Sequence, residues 1–256
     1  MKADNGLSVV IMAAGKGTRM KNPEVAKVMY TVAERPMVEH VVELALHLGS
    51  SRTVVIVGWQ KDSVIDHLAA AGKPVTCVEQ TPQLGTGHAV MQAGKALEGF
   101  SGDVLVLSGD VPLLRLATTR ALLDHHREAG AAATVLTALL EDPTGYGRIL
   151  RDAEGHVTGI VEQKDATEEE RAIREINSGI YLFRKEPLFD GLAHITPHNA
   201  QNEYYLTDVF RYFWQHSLPV RAIPAEDPKE IGGVNTLDQL EEARAAFARR
   251  GMASLR

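Results

Sequence analysis

Residues 9–20 read VVIMAAGKGTRM, an apolar run that passes directly into a loop with two glycines and two cations. The run predicts a buried strand, and the glycines predict a loop at its carboxyl end. Gly15 and Gly17 allow the backbone to approach an anion and present N–H groups to it. Because Lys16 and Arg19 add positive charge, this stretch predicts a phosphate-binding loop and nucleotide chemistry.

The rest of the first half alternates apolar runs with amphipathic segments. Short runs that predict buried parallel strands lie at 9–13, 54–57, 75–78 and 104–107. Segments whose apolar spacing predicts helices lie at 37–48, 63–71 and 88–97. We therefore predict an α/β, Rossmann-like fold: a doubly wound, mostly parallel sheet that binds its ligand at the carboxyl ends of the strands.

The second half is more mixed. Residues 148–151 and 157–162 flank a turn and predict a hairpin, and further elements are predicted at 180–183 (strand) and 207–216 (helix). Thr236 and Gln239 form a capping box that begins a C-terminal helix. The predicted organisation is a single domain over residues 1–256, with a core of about 7–235, a helix over 236–250 and an inserted, sugar-sized lobe.

Composition limits the partners and the compartment. A net charge of −6 argues against a general nucleic-acid binder, and no apolar segment is long enough to span a membrane. The polar N-terminus does not predict a signal peptide. A lone cysteine, Cys77, excludes an internal disulfide, so we expect a cytoplasmic protein. The oligomeric state is left open.

The spacing around the loop disfavours two common phosphate-binding motifs. The chain has no Gly-x-x-x-x-Gly-Lys-Ser/Thr sequence, which a P-loop requires. A dinucleotide fingerprint would need a third glycine, but Met20 stands three residues after Gly17. The loop is therefore expected to serve another kind of nucleotide chemistry.

An acidic residue follows the fourth predicted strand. Asp110, in the sequence GDVP at 109–112, is expected at the same sheet edge as the phosphate loop. A carboxylate beside a triphosphate usually binds Mg²⁺, because it would otherwise repel the ligand. A turn or cap role is the alternative. From the residues alone, Asn235 could be a turn or helix-capping residue, and Lys27 could be a surface lysine with no role in a site.

Further motifs follow in order along nearly the whole chain. Besides residues 15–20, Lys27 and Gln80, they are QLGTGHA at 83–89, GDVP at 109–112, DPTGYGRI at 142–149, IVEQKDA at 160–166, EINSG at 175–179, NAQNEYYLTD at 199–208 and GVN at 233–235. This series resembles the sugar nucleotidyltransferases, and among them the bacterial N-acetylglucosamine-1-phosphate uridyltransferases. The family's fold matches the one predicted above.

The resemblance implies a Mg²⁺-dependent transfer of UMP from UTP to N-acetylglucosamine 1-phosphate, which gives UDP-N-acetylglucosamine and pyrophosphate. The product would supply peptidoglycan and lipopolysaccharide synthesis. Bifunctional members continue into a left-handed β-helix acetyltransferase domain, but this chain has no hexapeptide repeat. Acetyl transfer is therefore not expected, whether the chain is a stand-alone enzyme or one part of a bifunctional one.

The resemblance also implies roles for individual residues. Arg19 and Lys27 would be catalytic, and Asp110 and Asn235 would bind the metal. The remaining implied residues bind substrates: Ala13, Ala14, Gly15, Lys16, Gly17 and Gly109 at the phosphate loop and its neighbour; Gln80, Gly85 and Thr86 at the base; and Gly147, Glu162, Asn177, Tyr205 and Thr207 at the sugar.

Some positions depart from the family pattern. Ser108 stands where an aromatic residue is common, Ala26 stands where proline is usual, and Met12 replaces a leucine of similar volume. The alternatives that stay open are a same-fold enzyme for another pair, such as UTP and glucose 1-phosphate, and a non-catalytic nucleotide-sugar sensor. Binding alone would not require the cations together with Asp110 and Asn235, so the sequence favours an enzyme.

Overall fold

The chain is organised around a central sheet. The computed structural model describes residues 6–20, 22 and 24–253. Within them the sheet has nine strands: β1 (Gly6–Ala13), β4 (Arg52–Val57), β5 (Thr76–Glu79), β6 (Gly102–Ser108), β7 (Ala133–Leu139), β8 (Gly147–Arg151), β9 (Val157–Val161), β10 (Glu175–Arg184) and β11 (Val220–Pro224). The main path of the sheet runs β11-β7-β10-β6-β1-β4-β5, with β8 paired to β10 and β9 paired to β8. A separate two-stranded sheet joins β2 (Thr31–Val32) and β3 (Arg35–Pro36).

The middle of the sheet is parallel, as its apolar runs predict. In β1, Ile11 lies between Val55 of β4 and Leu107 of β6, and both neighbouring strands run parallel to β1. The Ile11 side chain is fully buried. Strands covered on both faces are apolar throughout, because no side of them meets water. The predicted α/β, mostly parallel, Rossmann-like fold is confirmed.

Helices cover both faces of the sheet. On one face, α1, α2 and α4 contribute Val42, Val64 and Leu122 to the core. On the other, α3 and α7 contribute Val90 and Phe213. The helices are α1 (Met37–His47), α2 (Lys61–Ala70), α3 (Thr86–Met91), α4 (Leu116–Glu128), α5 (Glu168–Arg171), α6 (Lys185–Leu192), α7 (Val209–Gln215) and α8 (Leu237–Ala253). Adjacent positions along β1 serve opposite layers, since Ile11 belongs to the first core and Val10 to the second.

One helix is shorter than predicted. The sequence predicts a helix over 88–97, but α3 ends at Met91 and the chain continues in turns. Backbone bonds such as Gly94 N to Met91 O, at 3.1 Å, span three residues there. A Cβ atom at Gly94 would lie 3.3 Å from the Phe189 ring, so α6 packs closely against this turn. The apolar residues between 88 and 97 are therefore spaced for packing into the core, although the chain is not a continuous α-helix over this range.

The sheet is mixed toward its β11 edge. β10 runs antiparallel to β6, β7 and β8. The sequence predicts only its segment 180–183, and the β8–β9 hairpin is observed as predicted. The β8–β9 hairpin and α5 lie within residues 140–176, which we call the β8–β9 lobe. The sequence predicts an inserted lobe toward the C-terminal half without giving its residues.

The C-terminal helix begins with the predicted capping box. Gln239 N donates to Thr236 Oγ1 at 3.2 Å, and Thr236 N donates to Gln239 Oε1 at 3.1 Å. Leu240 of α8 is buried in a small apolar cluster with Met20 and Leu113. α8 thus packs on both the phosphate loop and the segment after β6. In the part of the chain described above, no helix has the length and apolar character needed to cross a membrane.

The meeting of β1 and β6 gives a stability prediction. Gly102 has φ of +135°, and a Cβ atom there would collide with the backbone of Gly6. We expect Gly102→Ala to lower the free energy of unfolding by about 3 kcal/mol, measured by urea titration.

The matched control is Gly49→Ala, at φ of +77° with no atom near the added Cβ. That variant meets backbone strain alone, about 1–2 kcal/mol. Equal losses in the two variants would contradict the close approach at Gly102.

Candidate functional site

The loop after β1 lies beside the segment that carries Lys27. β1 ends at Ala13, and a 3-10 turn, Thr18–Met20, follows. Gly17 has φ of +61°, and a Cβ atom there would lie 2.5 Å from the Cβ of Lys27. Glycine is needed at this position, because it permits both the left-handed backbone and the close approach of Lys27.

Four predicted residues meet at this edge of the sheet. Lys27 Nζ forms an ion pair with Asp110 Oδ2 and donates a hydrogen bond of 3.0 Å to Asn235 Oδ1. Arg19 Nη2 donates to the same oxygen of Asn235 at 2.8 Å. The structure therefore brings together both predicted catalytic residues and both predicted metal ligands.

The oxygen atoms in this group fit a divalent cation. A carboxylate oxygen of Asp110 and the amide oxygen of Asn235 face one cationic nitrogen, Lys27 Nζ. Mg²⁺ prefers oxygen ligands, and it usually takes one or two carboxylates from the protein together with water and substrate phosphates. Asp110 and Asn235 are the residues suited to hold such an ion.

Backbone contacts hold Asn235 in place. Val234 N donates to the carbonyl oxygen of Asp110 at 2.9 Å. Asn235 N donates to Gln239 Oε1 at 2.8 Å, so the start of α8 also fixes the asparagine. The candidate metal ligands are therefore tied to each other and to a helix terminus.

Tyr146 also lies beside this group, although it was not among the predicted site residues. Burial raises the pKa of Tyr146, and the negative charge of Asp110 raises it further, while Arg19 lowers it. The phenol therefore stays neutral at physiological pH. The sequence carried a signal for Tyr146, because it belongs to the TGYGR part of the motif at 142–149.

A cleft of about 590 Å³ extends from these residues. Nine predicted residues line it: Ala13, Ala14, Gly15, Lys16, Lys27, Gln80, Gly85, Thr86 and Asp110. Residues that were not predicted as site residues also line it, among them Gln83, Ser108 and Glu203. Gly17 and Gly109 do not line the cleft but allow other parts of the chain to come close. Gly17 packs against Lys27, and Gly109 N donates a hydrogen bond of 2.9 Å to Met12 O.

Lys16 has an aromatic neighbour that the sequence analysis missed. Its ammonium nitrogen lies 5.3 Å from the centroid of the Trp59 ring. Trp59 N in turn donates to Ala14 O at 3.1 Å, so the residue after β4 packs on the phosphate loop. A cation over an indole face is attracted to it. Only the position of Trp59, just beyond the second predicted strand, gave a signal in the sequence.

The predicted base-binding residues hold their own loop in shape. Gln80 is buried, and its Nε2 donates to Gly85 O at 2.9 Å and lies 3.1 Å from His88 Nδ1. Burial lowers the pKa of His88, so its imidazole is neutral at pH 7. Part of the Gln80 amide therefore serves the loop and not a ligand.

Backbone hydrogen bonds join this loop to the segment before α7. Tyr204 N donates to Leu84 O at 2.8 Å, and Gly87 N donates to Tyr204 O at 2.8 Å. Leu206 N donates to Thr86 Oγ1 at 3.0 Å. A Cβ atom at Gly85 would lie 2.7 Å from Tyr204 O, so glycine is required for this pairing. The two segments form one unit.

The five predicted sugar-binding residues do not line the 590 Å³ cleft but lie on the β8–β9 lobe, β10 and the segment before α7. Thr207 Oγ1 donates to Glu162 Oε1 at 3.1 Å. A Cβ atom at Gly147 would lie 3.3 Å from Glu162 Oε2 and 3.4 Å from Asn177 Cβ. Tyr205 Oη accepts a hydrogen bond of 2.8 Å from Gln201 Nε2. Thr207 and Gly147 thus lie against Glu162, and Asn177 lies beside Gly147.

Glu162 is an unusual carboxyl group. Burial raises its pKa above the ordinary value, and Asp165 and Asp208 raise it further, while the hydrogen bond from Thr207 lowers it. Burial likewise raises the pKa of Tyr205 to about 12. Among the residues that the structure describes, no cation forms an ion pair with Glu162. A partly desolvated carboxylate of this kind is suited to accept hydrogen bonds from sugar hydroxyl groups.

A second group of potential metal ligands lies elsewhere on the surface. Asp152, Glu154 and His156 are exposed at the turn between β8 and β9, and their ligand atoms lie within 4.8 Å of one another. Asp152 Oδ1 already accepts from the backbone N of His156 at 2.8 Å, which is ordinary turn geometry. Asp110 and Asn235 are the better-placed pair, because Asp110 lines the cleft and the oxygens of both residues meet at Lys27 Nζ.

The sequence and the fold both match known proteins. The family model described as "Nucleotidyl transferase" matches residues 8–245. The chain is 50% identical over 244 residues to "Bifunctional protein GlmU" of Geobacter metallireducens, covering 95% of this chain and 51% of that protein. It is 49% identical to the protein of the same name in Pelobacter propionicus, covering 95% and 53%. The chain thus spans about half the length of these curated relatives.

Solved structures show the same fold at low sequence identity. UDP-glucose pyrophosphorylase complexed with UDP-glucose matches with a TM-score of 0.76 and 19% identity, covering 96% of this chain and 99% of that one. The apo form of a UDP-glucose pyrophosphorylase matches with a TM-score of 0.78 and 18% identity, covering 96% and 99%.

The position of Lys27 gives a metal-binding prediction. Lys27→Met removes the ammonium that faces Asp110 and Asn235. We expect Mn²⁺, measured by electron paramagnetic resonance, to bind the nucleotide-free variant at least about threefold more tightly than the wild type, because a competing cation is gone.

Lys16→Met is the matched control, since it removes the same charge from the Trp59 side of the loop. Equal tightening in both variants would show a general charge effect. An unchanged Mn²⁺ affinity in Lys27→Met would contradict the placement of the metal between Asp110 and Asn235.

The raised pKa of Glu162 gives a pH-dependent stability prediction. The folded state favours the protonated carboxyl, so its contribution to stability is present below the ordinary pKa and lost as pH rises through the raised value. We expect Glu162→Gln to have a higher melting temperature than the wild type at pH 8, and this advantage to shrink toward pH 4.

Glu175→Gln is the control of opposite sign. Although burial alone would raise the pKa of Glu175, its paired hydrogen bonds from Arg151 hold it below the ordinary value. That variant should melt at a lower temperature at pH 8. A Glu162→Gln protein that also loses stability at pH 8 would contradict the desolvation argument.

Proposed function

The chain belongs to the nucleotidyl transferase family, and on that premise we propose that it transfers UMP from UTP to N-acetylglucosamine 1-phosphate. The products would be UDP-N-acetylglucosamine and pyrophosphate. The substrate class, a nucleoside triphosphate with a sugar phosphate, follows from the family. The particular substrates, UTP and N-acetylglucosamine 1-phosphate, are inferred from the resemblance and from the relatives that are 50% and 49% identical in sequence.

The observation that carries this proposal is the meeting of Arg19, Lys27, Asp110 and Asn235 beside the cleft, which Lys27 and Asp110 line. A sensor would need the cleft and its hydrogen bonds. It would have no need for cations and metal ligands gathered where phosphates lie, since nucleotidyl transfer depends on positioning and on charge stabilisation at the phosphorus.

Each substrate has a place suited to its chemistry. The loop over Ala13–Gly17 offers backbone N–H groups and Lys16 to the triphosphate. Gln80, Gly85 and Thr86 border the part of the cleft proposed for uracil, whose edge needs both donors and acceptors. Glu162, Asn177 and Thr207 would bind the sugar hydroxyl and acetamido groups.

The proposed chemistry is a single in-line displacement. A phosphate oxygen of the sugar phosphate forms a bond to the α-phosphorus of UTP. The bond from that phosphorus to the oxygen bridging the β-phosphate breaks, and its electron pair leaves with pyrophosphate. Lys27 would stabilise charge on the transferring phosphate, and Arg19 would stabilise the leaving group.

Asp110 and Asn235 would hold Mg²⁺, which supplies positive charge to the phosphate oxygens when bound. In its absence, the Asp110 carboxylate would repel an incoming triphosphate, and its ion pair with Lys27 reduces that repulsion. We further propose that the reaction takes place in the cytoplasm. The free thiol of Cys77 supports a reducing compartment.

The proposal predicts Mg²⁺-dependent pyrophosphate release. Wild-type protein with UTP and N-acetylglucosamine 1-phosphate should release pyrophosphate in the presence of Mg²⁺ and stop when a chelator is added. Asp110→Ala should lower kcat by about 100-fold or more, because it removes several kcal/mol of charge stabilisation. Asp124→Ala, on an exposed position of α4, is the control and should retain wild-type kcat.

A panel of sugar phosphates and nucleotides distinguishes the alternatives. A larger kcat/KM for glucose 1-phosphate than for N-acetylglucosamine 1-phosphate would favour the other substrate pair. Nucleotide-sugar binding without turnover for any pair would favour the sensor. Asp110→Ala with near-normal turnover would contradict the metal assignment.

A further inference from the structure

Two segments of the chain carry the candidate metal ligands. The Asp110 arm is residues 108–118, between β6 and the first turn of α4. The Asn235 arm is residues 225–236, between β11 and α8. The arms are distant in sequence, so the separation of Asp110 and Asn235 depends on what joins them.

A fully buried carboxylate joins the arms. Glu230 lies on the 3-10 turn of the Asn235 arm, and its side chain is 0% exposed. Both of its oxygens are used by the Asp110 arm. Arg115 Nε donates to Oε1, while Arg115 N and Thr118 Oγ1 donate to Oε2 at 3.2 and 2.6 Å. The Arg115 guanidinium forms an ion pair with the same carboxylate.

Further contacts join the two arms and α8. Val234 N donates to Asp110 O at 2.9 Å, directly beside both candidate ligands. Arg250 of α8 donates to Leu113 O, and Asp227 lies 3.8 Å from both the Arg115 and the Arg250 guanidinium groups. Arg115 and Glu230 therefore stand at the centre of a polar seam that ends at the cleft.

Because Glu230 is buried, its carboxylate depends on the ion pair and hydrogen bonds with Arg115 and Thr118. A buried carboxylate is strongly unfavourable unless it is paired and hydrogen-bonded, so Glu230 keeps its position only while Arg115 faces it. The ion pair is reflected in the raised pKa of Arg115, whose main cause is its hydrogen bond to Glu230. A shift of one arm relative to the other would break several hydrogen bonds at once.

We propose that the Arg115–Glu230 pair is a positioning device that sets the separation of Asp110 and Asn235 and thereby the affinity for Mg²⁺. This inference rests on the metal site of the proposed function. Neither Arg115 nor Glu230 lines the cleft, so both would act on the metal only by holding the arms that carry Asp110 and Asn235. Residues behind metal ligands commonly control metal affinity in this way.

The test measures metal binding apart from catalysis. Glu230→Gln keeps the shape and loses the charge, and Arg115→Lys keeps the charge and loses the fork of donors. For each, Mn²⁺ binding to the substrate-free protein is followed by electron paramagnetic resonance. The Mg²⁺ concentration for half-maximal turnover is then determined at saturating UTP, together with kcat and the melting temperature.

We expect Glu230→Gln to weaken Mn²⁺ binding and to raise the half-saturating Mg²⁺ concentration by about tenfold. At saturating Mg²⁺, kcat should stay within about twofold of the wild type, since the reacting groups are unchanged. Arg115→Lys should show the same changes at smaller size.

The matched control is Asp103→Asn. Asp103 is also a buried carboxylate paired with an arginine, Arg127, at 2.8 Å, but it lies at the amino end of β6, away from the cleft. It should lose melting temperature without a change in Mn²⁺ affinity. If Glu230→Gln does not fold, Thr118→Val, which removes one hydrogen bond to Glu230, takes its place.

The inference is overturned if the arm variants melt at lower temperature yet keep wild-type Mn²⁺ affinity and Mg²⁺ requirement. It is also overturned if Asp103→Asn weakens Mn²⁺ binding equally. Failure of the proposed function would look different: the wild type would release no pyrophosphate with any substrate pair. Because Mn²⁺ binding is measured without substrates, the two failures are distinguishable.

Discussion

The parallel pairing of β1 with β6 is the constraint on which the rest of the site depends. Met12 lies opposite Ser108, and the backbone bond from Gly109 N to Met12 O continues the pairing past the last residue of β6. Since both strands run in the same direction, their following loops leave the sheet at one edge. One loop carries cations and the other carries Asp110. The backbone pairing of β1 and β6 is thus what brings the cationic loop and Asp110 to the same edge of the sheet.

The other elements act on this arrangement. The segment between Gly17 and Lys27 folds back so that Lys27 packs against Gly17, and Gln239 in the first turn of α8 holds the backbone N of Asn235. The Arg115–Glu230 pair lies behind the ligands and ties their arms together. The polar groups of the site, from Arg19, Lys27, Asp110 and Asn235, therefore come from four stretches of chain whose mutual distances are fixed by packing and not by local sequence.

The parallel strands and the edge where the site lies were predictable from the sequence, because apolar runs and glycine loops are local signals. The shared oxygen of Asn235, which accepts from both Arg19 and Lys27, required the structure. So did the Arg115–Glu230 pair and the antiparallel direction of β10, since each depends on residues that meet only after folding. α3 shows the reverse case: Val90, Ala93 and Leu97 are spaced as in a longer helix because all three pack into the core, but the helix ends at Met91.

The pairing between residues 84–87 and 204–206 has a mechanical consequence. Gly85 and Thr86 belong to the predicted base-binding set, whereas Tyr205 belongs to the predicted sugar-binding set. The main chain therefore joins two predicted substrate regions that lie far apart in the sequence. A displacement of the Gly85 loop must either carry residues 204–206 with it or break these hydrogen bonds, so the two regions are coupled within a single polypeptide.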